Sequence, residues 1–341
     1  MAPLLRPRQS LAKERFPAYF GSLKNQPYHD PGSSASRTPG THNLRSIAWN
    51  PIGNLVATGA ADKTLRVWNP EKPNVRFSTE LKGHTAPIEK VAFNPVKDAE
   101  LCSVSSDGVV RLWDVRTKAC VNEVKGLGDA HTLAWAPDGQ SLVVGNKSGN
   151  IYALSPTQST PLASHKQAAA TNQMAFCWSG KKIFLPTEDG RTRILSYPDF
   201  EPVLRLNYPV EAGQSDEFML KGHTSSCLTA EMSPTGRYLA TGGSDSIIAL
   251  WDTNDWICQR TVSRLAGPVK TISFTFDGSY VVGGCDEVNG LEVTHTETGE
   301  HVHSFKTAGP SEVVAWAPTR YCLAYSDVGI LRIIGVDADR K

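Results

Sequence analysis

Apolar and polar residues alternate with a period of two along most of this chain, and short Pro-Gly or Asp-Gly turns such as NPIGN, APDGQ and SPTGR cut the alternation into pieces. That pattern predicts short antiparallel β-strands rather than helices. Seven of the predicted strands end on a bulky apolar anchor: Trp49, Phe93, Trp135, Phe176, Met232, Phe274 and Trp316. The anchors are 44, 42, 41, 56, 42 and 42 residues apart. A turn-punctuated repeat of that length supplies one four-stranded sheet at a time. The expected fold is therefore all-β, a seven-bladed β-propeller.

Alignment of the repeats on their anchors separates scaffold from variation. Two residues before each anchor the side chain is always apolar (Ile47, Val91, Leu133, Met174, Ala230, Ile272, Val314), so this side of the inner strand faces a neighbouring blade. One residue before the anchor the side chain is small (Ala48, Ala92, Ala134, Ala175, Ser273, Ala315), except for Glu231 in the fifth repeat. The third strand of the best repeats closes on Trp68, Trp113 or Trp251, each six residues after Asp62, Asp107 or Asp245. A hydroxyl lies four residues before each Asp (Thr58, Ser103, Thr241), and Gly83-His84 and Gly222-His223 precede two of the three. These residues resemble WD40 repeats over about residues 42–336. The resemblance implies two buried hydrogen-bonded chains, one of His84, Ser103, Asp107 and Trp113 and one of His223, Thr241, Asp245 and Trp251. Buried polar groups need such partners to offset desolvation, so His beside Ser and Asp reads as scaffold and not as a catalytic triad.

The last repeat runs out near Val336, which predicts that its fourth strand comes from the N-terminal side, within Tyr28 to Thr41, and locks the ring. The domain organisation expected is a basic, partly disordered N-terminal arm over 1–27 and a single propeller over 28–341. Residues 1–45 carry Arg6, Arg8, Lys13, Arg15, Lys24, Arg37 and Arg45 against Glu14 and Asp30. Interleaved Phe16, Tyr19, Phe20 and Tyr28 make the arm a candidate for weak or indirect RNA contact through phosphate attraction and base stacking.

Composition narrows the function classes further. Hydrophobic residues make up 40% of the 341, charged residues 20%, and the net charge is +1, which argues against a generally basic nucleic-acid binder. No stretch approaches the ~20 apolar residues of a membrane span, and the N-terminus lacks a secretory signal. The seven cysteines are scattered without a CxxC pair and read as reduced, mostly buried thiols. No phosphate-binding, metalloprotease or nucleophile-elbow motif is present, so no enzyme activity, cofactor, metal or small-molecule substrate is expected.

What remains for function is where the repeats disagree. Four residues before the anchors stand Arg45, Glu89, His131, Asn172, Leu228, Lys270 and Glu312, a ring of unlike groups at the predicted channel mouth. The six polar members are candidate partner-binding residues. The 56-residue interval holds about fourteen extra residues, and Glu211, Asp216, Glu217 and Phe218 make it a candidate docking loop.

The stretches LAWAPDGQSLVVGNK, RILSYPDFEPV and YLATGGSDSIIALWDTNDWICQRTVSRLAGPVKTISFTFDG resemble the WD-repeat third-subunit (Tex-type) family of the THO transcription-export complex. The resemblance implies a non-enzymatic nuclear scaffold that docks on larger helical subunits and helps couple transcription and mRNA processing to mRNA export. The alternative expectation is a WD40 substrate receptor or adaptor of another nuclear assembly, such as a ubiquitin ligase.

Overall fold

Strand pairing follows the repeat. The computed structural model describes residues 10–30, 43–167, 169–205 and 217–336, and its strands form seven antiparallel sheets, six of them built entirely from strands consecutive in the chain. Blade 1 is representative: Leu44–Trp49, Val56–Ala60, Leu65–Trp68 and Thr79–Glu80 run from the innermost strand to the outermost. Blade 6 departs from this plan, with an inner strand Val269–Phe274 followed by two long strands, Tyr280–His295 and His301–Ser311. The apolar positions form seven separate clusters, one in each gap between adjacent blades. Burial between sheets is thus the main stabilising term, and it is distributed around the ring.

The anchors do face a neighbouring blade, and two of them add a hydrogen bond. Trp49 Nε1–H donates to the carbonyl of Ala315 at 2.9 Å, and Trp135 Nε1–H to that of Ala92 at 3.1 Å. In both cases the acceptor lies one residue before the preceding blade's own anchor. Small side chains at that position let the indole come this close.

The ring is closed by the N-terminus, at a different place from the one expected. The strand is Asn25–Tyr28, paired antiparallel with Ile330–Ile334 of blade 7, whereas most of the expected Tyr28 to Thr41 window lies outside the described residues. Tyr28 drives this register: it is buried, its ring stands edge-on to Trp68 at 5.8 Å, and its hydroxyl donates to the Pro70 carbonyl of blade 1. Asp30, just past the strand, forms a buried ion pair with Arg66 of blade 1. The expected boundary at 27/28 therefore cuts a strand.

The segment before that strand is also part of the domain. A six-residue helix, Phe16–Gly21, begins with Pro17 in its first turn, where a missing N–H costs nothing. Phe16 and Phe20, one turn apart on the same face, are buried in the cluster between blades 6 and 7. Residues 1–9 lie outside the described residues.

Candidate functional site

The mouth is shaped by a recurring irregularity of the inner strands. In five blades the pairing with the second strand slips by one residue, leaving Arg45, Glu89, His131, Leu228 and Lys270 without a partner in the ladder. Such a β-bulge bends the strand and re-aims one side chain. In blades 4 and 7 the inner strand starts later, at Ala175 and Val314, so Asn172 and Glu312 precede it. All seven residues line one recess of about 150 Å³. The sequence-predicted set is thereby brought together.

Most of its members also tie the ring. Arg45 of blade 1 forms an ion pair with Glu89 of blade 2. His131 Nε2 lies 3.0 Å from the Thr171 carbonyl, and burial, which dominates its environment, lowers its pKa and keeps the ring neutral. Asn172 Nδ2–H donates to the Cys227 carbonyl of blade 5 at 2.7 Å. Lys270 pairs with Asp286 at 3.2 Å. Among the described residues the Glu312 carboxylate makes no such bond, and Leu228 is the one apolar member.

Beneath the rim two charged side chains of the inner strands come within range of each other's charge. Lys90 of blade 2, one residue beyond the bulge, also lines the recess. Glu231 of blade 5 lies three residues below Leu228, about 10 Å along the strand. Each keeps some surface, yet protein surrounds them almost completely. Burial raises the Glu231 carboxyl to about 7, an effect that the attraction of Lys90 only partly opposes. Burial likewise lowers Lys90, and Glu231 counteracts it. The two feel each other's charge but share no direct ion pair among the described residues.

The two expected hydrogen-bond chains differ. In blade 5 the chain is complete: Trp251 Nε1–H donates to Thr241 Oγ1 at 2.9 Å, Thr241 Oγ1 lies 2.9 Å from His223 Nε2, and His223 Nδ1 lies 3.0 Å from Asp245 Oδ1. In blade 2 Trp113 Nε1–H donates to Ser103 Oγ at 2.8 Å, and His84 Nε2 lies 2.6 Å from the same oxygen. Asp107, expected to complete that chain, instead accepts from Thr85 Oγ1 at 2.9 Å, and His84 Nδ1 has no partner among the described residues. Burial, followed by the positive charge of Arg111, lowers the His84 pKa to about 4. A histidine held neutral beside a guanidinium gains little from the carboxylate; blade 5 has Ala249 in place of Arg111.

Arg111 belongs to a feature that motif reading overlooked. Arg66, Arg111 and Arg193 occupy equivalent third-strand positions, and each bonds a carboxylate of, or next to, the outer strand: Glu80, Glu123 and Glu217. The signal was an Arg two residues before the Trp, or its replacement Leu195, in three repeats.

That last pair corrects the docking-loop expectation. Glu217 is buried, and Arg193 donates to both its oxygens, Nε–H at 2.8 Å and Nη2–H at 2.7 Å. Phe218 packs against the cluster between blades 4 and 5. Both are part of the scaffold, whereas Glu211 and Asp216 lie outside the described residues. The arm as an RNA platform loses three of its four aromatics in the same way, since Phe16, Phe20 and Tyr28 are buried and Tyr19 alone stays partly exposed. All seven cysteines are free, as expected, and burial pushes the Cys227 thiol up to about 12. Among the described residues no helix is long and apolar enough to cross a membrane, and no group of His, Cys, Asp or Glu is placed to hold a metal.

Comparison with known proteins agrees with the architecture. The family model of the WD domain, G-beta repeat, matches residues 34–69, 76–114 and 215–252. THO complex subunit 3 of Arabidopsis thaliana is 31% identical over 307 residues, covering 86% of this chain and 93% of that protein. WD repeat-containing protein AAC3 of Dictyostelium discoideum is 28% identical over 301 residues, covering 82% of this chain and 61% of that protein. Among solved structures, the Cps50 (Swd1) β-propeller domain of Myceliophteria thermophila superposes with a TM-score of 0.74 at 18% identity, covering 86% of this chain and 96% of that one. The last likeness concerns the fold alone.

Proposed function

We propose, from the premise that this chain belongs to the WD40-repeat family of THO complex subunit 3, that it is a non-enzymatic scaffold subunit of a THO-type assembly. It works in the nucleus, where the assembly couples transcription and mRNA processing to mRNA export. The observation that carries this reading is the extent of the likeness. Identity of 31% spread over 307 residues and 93% of the relative reaches well beyond the Trp-Asp motifs common to WD40 repeats.

The geometry supports docking as the mechanism. A ring stabilised between every pair of blades presents its mouth residues with little conformational entropy left to lose on binding. The partners proposed are the larger helical subunits of the assembly, and the mouth is the proposed contact. Any contact with RNA is weak or indirect.

Affinity purification of the tagged chain from nuclear extract tests both levels. Large helical THO-type subunits are expected at near-equal stoichiometry, and the double variant K270E/E312K is expected to recover them poorly at unchanged thermal stability. Recovery of ubiquitin-ligase components in their place would overturn the assignment. Undiminished recovery by the double variant would remove the mouth from the contact.

A further inference from the structure

The recess at the mouth has the volume of one small organic group, not of a folded segment. Its rim is largely satisfied: Arg45 is paired with Glu89 and Lys270 with Asp286, while His131 is neutral and bonded to Thr171. One cation within it has no ion pair among the described residues, Lys90, and its charge is felt by Glu231 on the inner strand of blade 5. We propose that recess and channel form a subsite for a single carboxylate side chain, Asp or Glu, inserted by the docked protein segment, with Lys90 as counter-ion and Glu231 as its hydrogen-bonding neighbour. This deepens the docking reading and rests on it.

The choice of an anion follows from the order in which a visitor meets the charges. Lys90 is nearer the rim than Glu231, so a cationic side chain is repelled in a poorly screened environment before it reaches an attractive partner. A neutral side chain leaves Lys90 as unpaired as before. A carboxylate pairs with it, and charge-assisted hydrogen bonds of this kind are the strong ones. Glu312 is the opposing charge, but it stands at the water-facing rim, where screening weakens it.

Glu231 makes the event measurable. Two carboxylates near one ammonium cannot both stay ionised cheaply, so the buried one takes a proton from solvent and then donates a hydrogen bond to the incoming carboxylate. Its resting value of about 7 sets the pH range. Above that value, binding draws in up to about one proton per site, and affinity falls as pH rises from about 6 to 8. The charged and titratable groups that face Glu231 around the recess are Arg45, Glu89, Lys90, Lys270 with its partner Asp286, Glu312 and His131, whose pKa burial lowers.

The test uses the full chain and the probe N-acetyl-glutamate N-methylamide, titrated calorimetrically in buffers of different ionisation enthalpy. One-to-one binding with net proton uptake is expected, and none is expected with the glutamine analogue. Lys90→Met, which keeps the apolar stem, should weaken binding at least about tenfold; should it fail to fold, Lys90→Gln takes its place. Glu231→Gln should still bind but take up no proton. Equal binding of the glutamine probe, undiminished binding by the Lys90 variant, or no binding of the glutamate probe overturns the proposal. A chain that recovers its nuclear partners yet ignores the probe refutes the subsite and leaves docking standing. One that binds the probe but recovers no partner does the reverse.

Discussion

Replacing Phe16 by Ala asks whether the N-terminal segment holds the ring or merely lies on it. The Phe16 side chain is 0% exposed, with its ring 4.4 Å from Tyr280, 4.7 Å from Phe20 and 6.4 Å from Trp316. Truncating a fully buried phenylalanine costs about 3–5 kcal/mol when the surroundings cannot collapse. Here the loss has a ceiling, because the segment can leave its seat once the cavity costs more than docking contributes. Docking includes a hydrogen bond from Leu11 N–H to Tyr321 Oη at 2.9 Å and another from Tyr280 Oη–H to the Leu11 carbonyl. A chain of 341 residues has an unfolding entropy of about 0.7 kcal/mol/K, so the full cost lowers Tm by about 4–7 °C. Scanning calorimetry reads the shift, and limited trypsinolysis at Lys13, Arg15 and Lys24 reports whether the segment has come away. Lys13→Ala is the control: its pair with Glu300 is a surface contact and should leave Tm unchanged. If Phe16→Ala also melts like the parent and stays protected from trypsin, the segment is not part of the core and the argument from its burial fails.

Three further outcomes follow from the same packing. Deleting residues 1–28 removes the closing strand and exposes the edge of Ile330–Ile334, so Tm should fall further than for Phe16→Ala, with concentration-dependent aggregation seen by light scattering. Glu217→Gln breaks the bidentate contact to Arg193 and should cost about 3 kcal/mol in urea unfolding, whereas a docking residue would cost nothing there. Glu231 has a folded pKa raised from 4.5 to about 7, so its destabilising contribution is absent below about pH 4.5 and grows as pH rises through 7. Glu231→Gln should therefore leave Tm unaltered near pH 4.5 and raise stability at pH 8 by about 3 kcal/mol; a gain confined to acid pH would reverse the sign of the reasoning.

Seven anchors at a near-constant interval were enough to state the fold, because a blade is assembled from strands adjacent in sequence and its alternation is a local property. The same alignment singled out Glu231 and the ring of unlike mouth residues, since a repeat exposes its own exceptions. Motif spacing could not tell a complete His-Asp chain in blade 5 from a broken one in blade 2: the difference lies in Arg111, a neighbour outside the motif. Nor could it separate Glu217, buried against Arg193, from an acidic loop residue free to dock.

By itself, then, the sequence determined the number of blades, the apolar faces between them and the identity of the side chains four residues before each anchor. Only the tertiary structure decided that those side chains, five of them re-aimed by β-bulges, line one recess, that Lys90 and Glu231 come within range of each other's charge, and that the closing strand is Asn25–Tyr28. The physical reason is separation along the chain. Alternation and turns act over a few residues, whereas Lys90 meets Glu231, and Tyr28 meets Leu331, only after the ring has closed and brought distant repeats side by side.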